Sequence, residues 1–257
     1  MVQLSFYGGV DEIGGNKFLL EDREARIFLD FGRNFAREKR FFDEPWISPR
    51  KEEHLLALGI LPDLEGLYKA DEEHPATIDG VLVSHPHTDH YDAVHWLKED
   101  IPIYASPQAR SLILARDFSG RPRGGKEYYL ANWTKRAGPE IYRPLTAIEP
   151  GKPFEVGGLP VTAYEVDHSI HGAVGYAVES SEGTVVYTGD FRLHGPRGDR
   201  TRTFLEEAAK RDPEALLIEG THVDTCKVES EDEVREKVQR IVEQTQDWSW
   251  LASPSQT

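Results

Sequence analysis

The chain has 257 residues, of which 39% are hydrophobic and 29% charged, and its formal net charge is −15. This composition fits a globular protein with one large domain, or one domain and a fragment of another. It contains no run of about 18 apolar residues and no charged-then-apolar N-terminal pattern, so we expect neither a membrane span nor export. The single cysteine, Cys226, excludes an internal disulfide and agrees with a reducing, cytoplasmic location.

The first predicted elements are short strands that would pair as an antiparallel meander. Within each strand, apolar residues either alternate with polar ones or follow one another without interruption, and glycine or charged residues form the turns between strands. They cover residues 2–7, 17–20 and 25–31. Residues 33–75 break this pattern with four prolines and short helical pieces, so we expect an insertion there.

After residue 75, predicted strands alternate with helices. Strands are expected at 78–83 and 101–105, and helices at 91–97 and 107–116. A second series of strands follows at 154–156, 159–166, 173–178, 184–188 and 215–218. A helix at 201–210 separates the last two. Two series of strands with interspersed helices indicate an α/β (α+β) domain with two sheets.

The residues that carry chemistry are concentrated at 84–90, Ser-His-Pro-His-Thr-Asp-His, directly after a predicted buried strand. Imidazole and carboxylate are ligands that suit zinc and its first-row neighbours. In an extended segment His85 and His87 project to the same side, so both can bind one ion. Asp89 and His90 come where the chain turns into a helix and can face a second ion. The alternative is a polar loop with incidental histidines, but four ligands at this density favour a metal site.

This pattern resembles the H-x-H-x-D-H signature of the metallo-β-lactamase superfamily, and other segments match that family in order. The sequence Thr-Gly-Asp at 188–190 resembles the strand-end element whose aspartate, here Asp190, bridges two metals. His168, within Asp-His-Ser, resembles the further imidazole ligand of the first metal. Asp30 resembles the structural aspartate that orients the metal-binding loop. The opening Gly-Gly-Val-Asp-Glu-Ile-Gly-Gly-Asn at 8–16 is similar to ribonuclease J and its β-CASP relatives.

The resemblance implies a four-layer αββα metallo-β-lactamase sandwich with two divalent ions, zinc first and manganese or iron as alternatives. Six side chains would be the metal ligands: His85, His87, Asp89, His90, His168 and Asp190. His85, His87 and His168 would hold one ion, and the other three the second. Asp89, His168 and Asp190 would carry the catalysis, with Asp89 able to accept a proton from the attacking water.

Other polar residues receive weaker assignments. Glu219 is expected to accept a hydrogen bond from a metal-bound histidine, because β-CASP proteins carry an acidic motif at that strand end. His171 stands where ribonuclease J relatives usually show proline, and is a substrate contact or a loop residue. His95, beside Trp96, is expected to pack inside. The histidines without ligand spacing are expected in solvent: His54, His74 and His194.

Basic residues are segregated despite the acidic net charge. Residues 110–143 hold eight Lys and Arg against three Asp and Glu, with interleaved aromatics, the mixture that grips phosphates and stacks bases. A smaller basic island spans residues 33–51. Both segments fit a nucleic-acid surface, and they fit solvated helical insertions with inward-packed aromatics equally well.

We assign residues 1–229 to the metallo-β-lactamase domain, with 33–75 as an insertion over the active-site face. Residues 230–257 resemble the start of a β-CASP insertion. A helix is predicted at 230–246 from the capping box of Ser230 and Glu233, followed by a strand-like run at 248–252. The family supplies a further ligand histidine late in the domain, and His222, the candidate beyond Asp190, comes too early for the family's order. We therefore expect a sandwich that is incomplete at its C-terminus, either as a truncated fragment or as a shortened relative that has lost the insertion and the domain's tail.

The sequence therefore predicts a metal-dependent hydrolase, first a ribonuclease J-like phosphodiesterase that cleaves RNA through a metal-activated water. One alternative is a hydrolase of small-molecule esters, lactones or phosphodiesters, which the acidic net charge favours. The other is a catalytically weak metal-binding fragment, which the missing histidine favours. The expected partner is RNA or a small molecule, and we expect no interaction with a membrane. Assembly into a homo-oligomer is possible on this sequence and is left open.

Overall fold

Two β-sheets lie face to face in the protein. The computed structural model describes residues 1–43, 47, 49, 51–119, 133–134, 140–141, 145–224 and 230–245. Most of the 110–143 basic island and the strand expected at 248–252 lie outside these residues.

The first sheet has six strands, antiparallel at one end and parallel at the other. It begins with β1 (Val2–Gly8), β2 (Lys17–Asp22), β3 (Ala25–Leu29), β4 (Gly80–Leu82) and β5 (Ile103–Ala105). A separate two-stranded ribbon follows, formed by β6 (Trp133–Thr134) and β7 (Glu140–Ile141). The chain then returns to the first sheet with β8 (Leu145–Ala147), a strand that the sequence pattern did not predict.

The strand order of the first sheet is β1-β2-β3-β4-β5-β8. The antiparallel pairing of β1 with β2 and of β2 with β3 confirms the predicted meander. From β3 to β8 the pairing is parallel. The carboxyl ends of β3 and β4 therefore lie at the same edge of the sheet, which is where ligands bind in parallel sheets.

The second sheet has the order β13-β12-β11-β10-β9. Its strands are β9 (Pro153–Val156), β10 (Leu159–Glu165), β11 (Val174–Ser180), β12 (Gly183–Tyr187) and β13 (Ala215–Leu217). All neighbours are antiparallel except β12 and β13, which are parallel. The sequence pattern predicted each of these five strands to within a few residues.

The described helices flank the sheets. They are α1 (Phe35–Glu38), α2 (Glu52–Ala57), α3 (Thr88–Tyr91), α4 (Pro107–Ser119), α5 (Gly198–Ala209) and α6 (Glu231–Gln244). The helix expected at 91–97 is instead α3 followed by a 3₁₀ segment, Asp92–Trp96. The amide of Ala93 donates to the carbonyl of Phe31 at 3.2 Å, so this amide is bonded to the loop after β3.

Alternating side chains divide the core into layers. Ile27 and Leu29 of β3 face the second sheet and pack in a cluster with Tyr176 and Tyr187, whereas Phe28 faces the opposite side. Behind Phe28 the helical layer contains α4 and buried leucines from the 33–75 segment. Phe204 of α5 covers the outer face of the second sheet. These layers are the predicted αββα sandwich.

The α6 helix begins at Ser230 with the predicted capping box: Ser230 Oγ accepts from the Glu233 amide at 3.2 Å, and the Glu233 carboxylate accepts from the Ser230 amide at 2.9 Å. Its apolar face is exposed. Within the described ranges, no helix combines the length and apolarity needed to cross a bilayer.

Candidate metal centre

The site begins where β3 and β4 end side by side. Asp30 directly follows β3 with a φ of +59°, in the left-handed region that aspartate tolerates better than most residues. Its Oδ1 accepts from the Ser84 amide and its Oδ2 from the Ser84 hydroxyl, each at 2.7 Å. The buried Asp30 carboxylate therefore fixes the start of the 84–90 segment, which is the orienting role that the sequence predicted.

Backbone hydrogen bonds hold the other end of the segment. The Phe31 amide donates to the His90 carbonyl at 2.9 Å, and the Asn16 amide donates to the Asp89 carbonyl at 3.1 Å. Gly14 packs directly on the Asp89 side chain, since a Cβ at this glycine would lie 2.9 Å from the Asp89 Cβ. The glycine-rich loop at 8–16 thus forms one wall beside Asp89.

The first cluster contains three imidazoles. The Nδ1 atom of His87 lies 3.0 Å from Nε2 of His85 and 3.2 Å from Nε2 of His168. His168 comes from the loop after β10 in the second sheet, so the two sheets meet at this point. The predicted first ligand set is brought together.

A second cluster lies beside the first one. The Nε2 atom of His90 is 3.5 Å from Oδ1 of Asp190 and 3.7 Å from Oδ2 of Asp89. His85, His90 and Asp190 have ligand atoms within 4.8 Å of one another, so the tighter group contains His85 rather than Asp89. Asp89 is nevertheless at the edge of this cluster.

Asp190 joins the two clusters through its two carboxylate oxygens. Its Oδ2 lies 3.9 Å from Nε2 of His85 and 3.8 Å from Nε2 of His168, while its Oδ1 faces His90. A carboxylate in this orientation can contact two cations at once. The geometry therefore suits the bridging position expected for Asp190.

Hydrogen bonds to the opposite ring nitrogens fix the orientation of two imidazoles. Nδ1 of His90 donates to Asp30 Oδ2 at 2.7 Å, which leaves its Nε2 directed at the carboxylates of Asp89 and Asp190. Because the Ser84 hydroxyl donates to Asp30, it accepts from His85 Nδ1, which lies 3.0 Å away. Nε2 of His85 is thereby the nitrogen that faces the cluster.

Two imidazoles of the first cluster have protonation states that suit a cation site. Burial and the neighbouring imidazoles lower the pKa of His85 well below its usual value, and burial is the main cause that lowers the pKa of His168 to about 4. Both rings are neutral near pH 7, the form that binds metal. His90 differs from these two rings. Burial opposes its charged form, but the carboxylates of Asp30 and Asp190 outweigh burial and raise its pKa to about 10. The ring is therefore cationic near pH 7, and an ion bound at Nε2 would have to displace a proton.

These donors fit a divalent transition metal. Nitrogen ligands at 2.0–2.1 Å around tetrahedral zinc are separated by roughly 3.3 Å, close to the two N···N distances around His87. Neutral imidazoles together with a carboxylate form a donor set typical of zinc and of manganese or iron. The second cluster combines His90 with carboxylate oxygens of Asp89 and Asp190, and its tighter group also includes His85.

Not every assignment from the sequence agrees with the structure. Glu219 does not accept from a clustered histidine: its carboxylate accepts from the Thr221 amide at 3.1 Å, and Asp30 is the acceptor for His90, so that prediction was wrong. His95 packs on the Trp96 ring, as expected. The remaining histidines are exposed: His54, His74, His171, His194 and His222.

Sequence reasoning missed two contacts of the centre. The carboxamide nitrogen of Asn16 lies 3.0 Å from Nε2 of His90, and the Tyr187 hydroxyl donates to Asp30. Asn16 stands in the glycine-rich opening at 8–16, and Tyr187 directly precedes the Thr-Gly-Asp element at 188–190. Neither contact follows a sequence spacing, because each partner is more than 70 positions away.

A cleft of about 760 Å³ opens beside the second cluster, between the edge strands β1 and β13. Asp89, His90 and Asp190 line part of it. Its walls are apolar at Phe6 and Ile218, and other lining residues are acidic. None of the described residues that line it is Lys or Arg.

A two-sheet sandwich with imidazoles and carboxylates gathered at its strand ends is the architecture of a metal-dependent hydrolase. A family model described as the beta-lactamase superfamily domain matches residues 62–229. The chain belongs to this superfamily, whose metallo-hydrolase branch the motifs at 84–90 and 188–190 had indicated. Divalent metal binding follows from the family and the clusters together.

Ribonucleases J are among the curated relatives. The chain is 27% identical to ribonuclease J of Corynebacterium glutamicum over 242 residues, which are 91% of this chain and 29% of that protein. It is 23% identical to ribonuclease J of Helicobacter pylori over 219 residues, 84% of this chain and 27% of that protein. The chain thus matches less than a third of either relative's length.

A solved structure shares the fold. A protein of unknown function from Enterococcus faecalis V583 superimposes with a TM-score of 0.72 at 25% sequence identity. The match covers 93% of this chain and 57% of that one. The confirmed resemblance is therefore to the superfamily, with ribonuclease J-like proteins as near relatives.

Proposed function

We propose that the protein is a ribonuclease J-like phosphodiesterase that hydrolyses RNA at a dinuclear metal centre. His85, His87 and His168 hold one ion in this proposal. Asp89 and His90 would hold the other, and Asp190 lies where its carboxylate would serve both. The observation that carries the proposal is the orientation of Asp190, whose two oxygens face the two imidazole clusters separately.

The chain's own residues have defined parts in the reaction. Divalent metal, when bound, supplies a Lewis acid that activates water and stabilises charge on the scissile phosphate. Asp89 lies at the open edge of the second cluster, with a side chain that is 24% exposed, and accepts a proton from the attacking water. Asp30 and Ser84 keep the imidazoles oriented throughout, so little reorganisation accompanies the reaction.

The names of the curated relatives favour RNA over a small-molecule substrate. The charge around the centre agrees with this choice. Burial is the main cause that lowers the pKa of His87, and Arg116 on α4 is near enough to add to the effect, so this arginine lies on the first-cluster side. The chain continues from α4 into the basic island, whereas the cleft on the opposite side has an acidic lining. RNA would approach from the α4 side.

The domain boundary and the cellular location belong to the same proposal. Residues 1–229 form the metallo-β-lactamase domain, and residues 230–257 begin an insertion of the β-CASP kind. The family match ends at residue 229, one position before the Ser230 cap of α6, which supports this boundary. RNA as substrate would place the protein in the cytoplasm. The placement of residues 33–75 over the active-site face stays a prediction.

A charge-reversal experiment tests the RNA substrate. Arg121 and Arg123 lie in the basic island outside the described residues, and we would replace both with Glu. Each phosphate contact of a single strand contributes about 0.7 to the slope of log K against log salt. If both residues contact phosphate, the slope for single-stranded RNA falls by roughly 1.4. The matched control reverses the exposed Arg202 and Lys152, and its slope should equal that of the wild type.

Hydrolysis of a small neutral ester provides the second readout. This reaction uses the metal centre and needs no phosphate track, so the Arg121/Arg123 variant should retain it. Loss of ester and RNA hydrolysis together would mean that the island is structural. An unchanged salt slope, or no RNA binding at low salt, would favour the small-molecule substrate.

A further inference from the structure

The side chain of Tyr187 extends from the second sheet to a residue of the first sheet next to the candidate metal centre. Tyr187 is the last residue of β12 and is 4% exposed. Its Oη donates to Oδ2 of Asp30 at 2.5 Å. The same strand leads three residues later to Asp190. Tyr187 therefore connects the strand that supplies the bridging carboxylate with the aspartate that orients His90.

Asp30 Oδ2 is a crowded acceptor. It receives the Tyr187 hydroxyl, the Ser84 hydroxyl at 2.7 Å and Nδ1 of His90 at 2.7 Å. Asp30 is fully buried, so these donors replace the water that would otherwise solvate the carboxylate. Removal of one donor leaves a buried oxygen less well satisfied, and the carboxylate is then free to rotate away from the His90 ring.

We propose that Tyr187 is a positioning residue for the second ion. Its hydroxyl fixes Asp30 Oδ2, Asp30 fixes the His90 ring, and Nε2 of His90 is thereby aimed at Asp190 and Asp89. This inference deepens the proposed function, on whose second metal position it rests. The first cluster depends on this chain of contacts less directly. His85 reaches Asp30 only through the Ser84 hydroxyl, and the Ser84 amide holds that residue on Asp30 Oδ1 as well. His87 and His168 have no hydrogen bond to Asp30 among the described contacts.

Tyr187→Phe removes the hydroxyl and keeps the ring, including its edge contact with Phe18 at a centroid distance of 5.5 Å. Loss of an outer partner of a metal ligand typically weakens metal affinity 10- to 100-fold. Because Tyr187 acts one contact further out, we expect about a tenfold weaker second ion. The affinity of the first ion should stay within twofold of the wild type.

Tyr176→Phe is the matched control. Tyr176 lies on the neighbouring strand β11, is fully buried, and also donates across the sheet interface. Its hydroxyl meets the Val83 carbonyl at 2.8 Å rather than Asp30. Both variants lose one buried hydroxyl, so a merely structural role predicts similar losses of unfolding free energy and no selectivity between the two ions.

Two measurements on the full chain test whether Tyr187 positions the second ion. Titration of metal-free protein with Zn²⁺ against a competing chelator gives the two dissociation constants. NMR of the metal-free protein gives the exchange rate of the His90 Nδ1 proton, assigned by its absence in His90→Gln. We expect faster exchange of this proton in Tyr187→Phe and an unchanged rate in Tyr176→Phe.

The role of Tyr187 would be overturned if Tyr187→Phe bound both ions equally more weakly, or bound both as tightly as the wild type. It would also be overturned if Tyr176→Phe showed the same selective loss of affinity for the second ion. An unchanged His90 proton in Tyr187→Phe would overturn it as well, whatever the metal affinities. If the wild type binds a single equivalent of Zn²⁺, the dinuclear centre of the proposed function fails, and the His90 proton still decides whether Tyr187 positions this ring.

Discussion

Gly32 and Asp89 pack backbone against backbone: a Cβ on Gly32 would lie 1.5 Å from the carbonyl oxygen of Asp89. The loop after β3 therefore approaches the 84–90 segment more closely than any side chain permits. The same approach allows the hydrogen bonds from Phe31 to His90 and from Arg33 to Thr88. Gly32 is thus part of the framework that places both second-cluster ligands of this segment.

Gly32→Ala should destabilise the metal-free protein by about 3 kcal/mol or more, because the clash is with backbone that cannot move aside without breaking these hydrogen bonds. Urea unfolding in the presence of a chelator measures the effect. Gly220→Ala is the control, since among the described residues no heavy atom lies within 4 Å of a Cβ at that position. Similar unfolding free energies for the two variants would contradict the close packing.

Lys17 carries a buried amine that should limit stability near neutral pH. Its side chain is 1% exposed, and its Nζ donates to the Gly15 carbonyl at 3.3 Å. Burial is the main cause that lowers its pKa to about 8. The unfolded chain, with its ordinary value near 10.5, binds more protons between these values, so stability rises with pH across this window. Below pH 8 the buried charge of Lys17 lowers the free energy of unfolding by its full amount, about 3 kcal/mol.

Lys17→Met should therefore be more stable than the wild type at pH 7, by up to about 3 kcal/mol less the lost hydrogen bond. Its advantage should shrink as the pH is raised from 8 to 10. Unfolding free energies of both proteins across this range test the prediction, with the exposed Lys152→Met as the control. An advantage that stays constant with pH would mean that Lys17 keeps an ordinary pKa.

His87→Ala removes the nitrogen that lies between His85 and His168. Bound metal should fall by about one equivalent in elemental analysis after dialysis. The melting temperature of the metal-loaded protein should fall with it, since an ion bound to the native state stabilises folding. The exposed His54→Ala should keep the wild-type content. Metal content that His87→Ala leaves intact would exclude the first cluster as a binding site.

Much of the centre could be predicted from sequence because its ligands are concentrated. Three imidazoles and a carboxylate within residues 84–90 carry their own signal, and the motifs around His168 and Asp190 extend it. The direction of a side chain at a strand end is not encoded in this way. Glu219 was therefore given a contact that Asp30 makes, and the roles of Asn16 and Tyr187 emerged only when distant segments were brought together.

Elements of the fold were likewise predicted where the local sequence carries a strong pattern. Strands within apolar or alternating runs were predicted, including β4 and β5, which span only three residues each. β8 was missed because only one of its three residues, Leu145, is buried, so it has no such run. The helix expected at 91–97 became α3 and a 3₁₀ segment, where the Ala93 amide bonds to the Phe31 carbonyl. That hydrogen bond depends on the pairing of β3 with β4, which local sequence does not specify.

The most direct test of the proposed function is the rate at which metal-loaded protein cleaves 5′-labelled single-stranded RNA, compared with Asp89→Asn. This substitution keeps the side-chain size and removes the carboxylate charge, so the fold should persist while the rate falls by about 10²- to 10⁴-fold. We predict cleavage that requires Zn²⁺ or Mn²⁺, stops with a chelator and nearly disappears in Asp89→Asn. Cleavage that survives the chelator, an Asp89→Asn rate equal to that of the wild type, or intact RNA despite two bound ions would contradict the proposal.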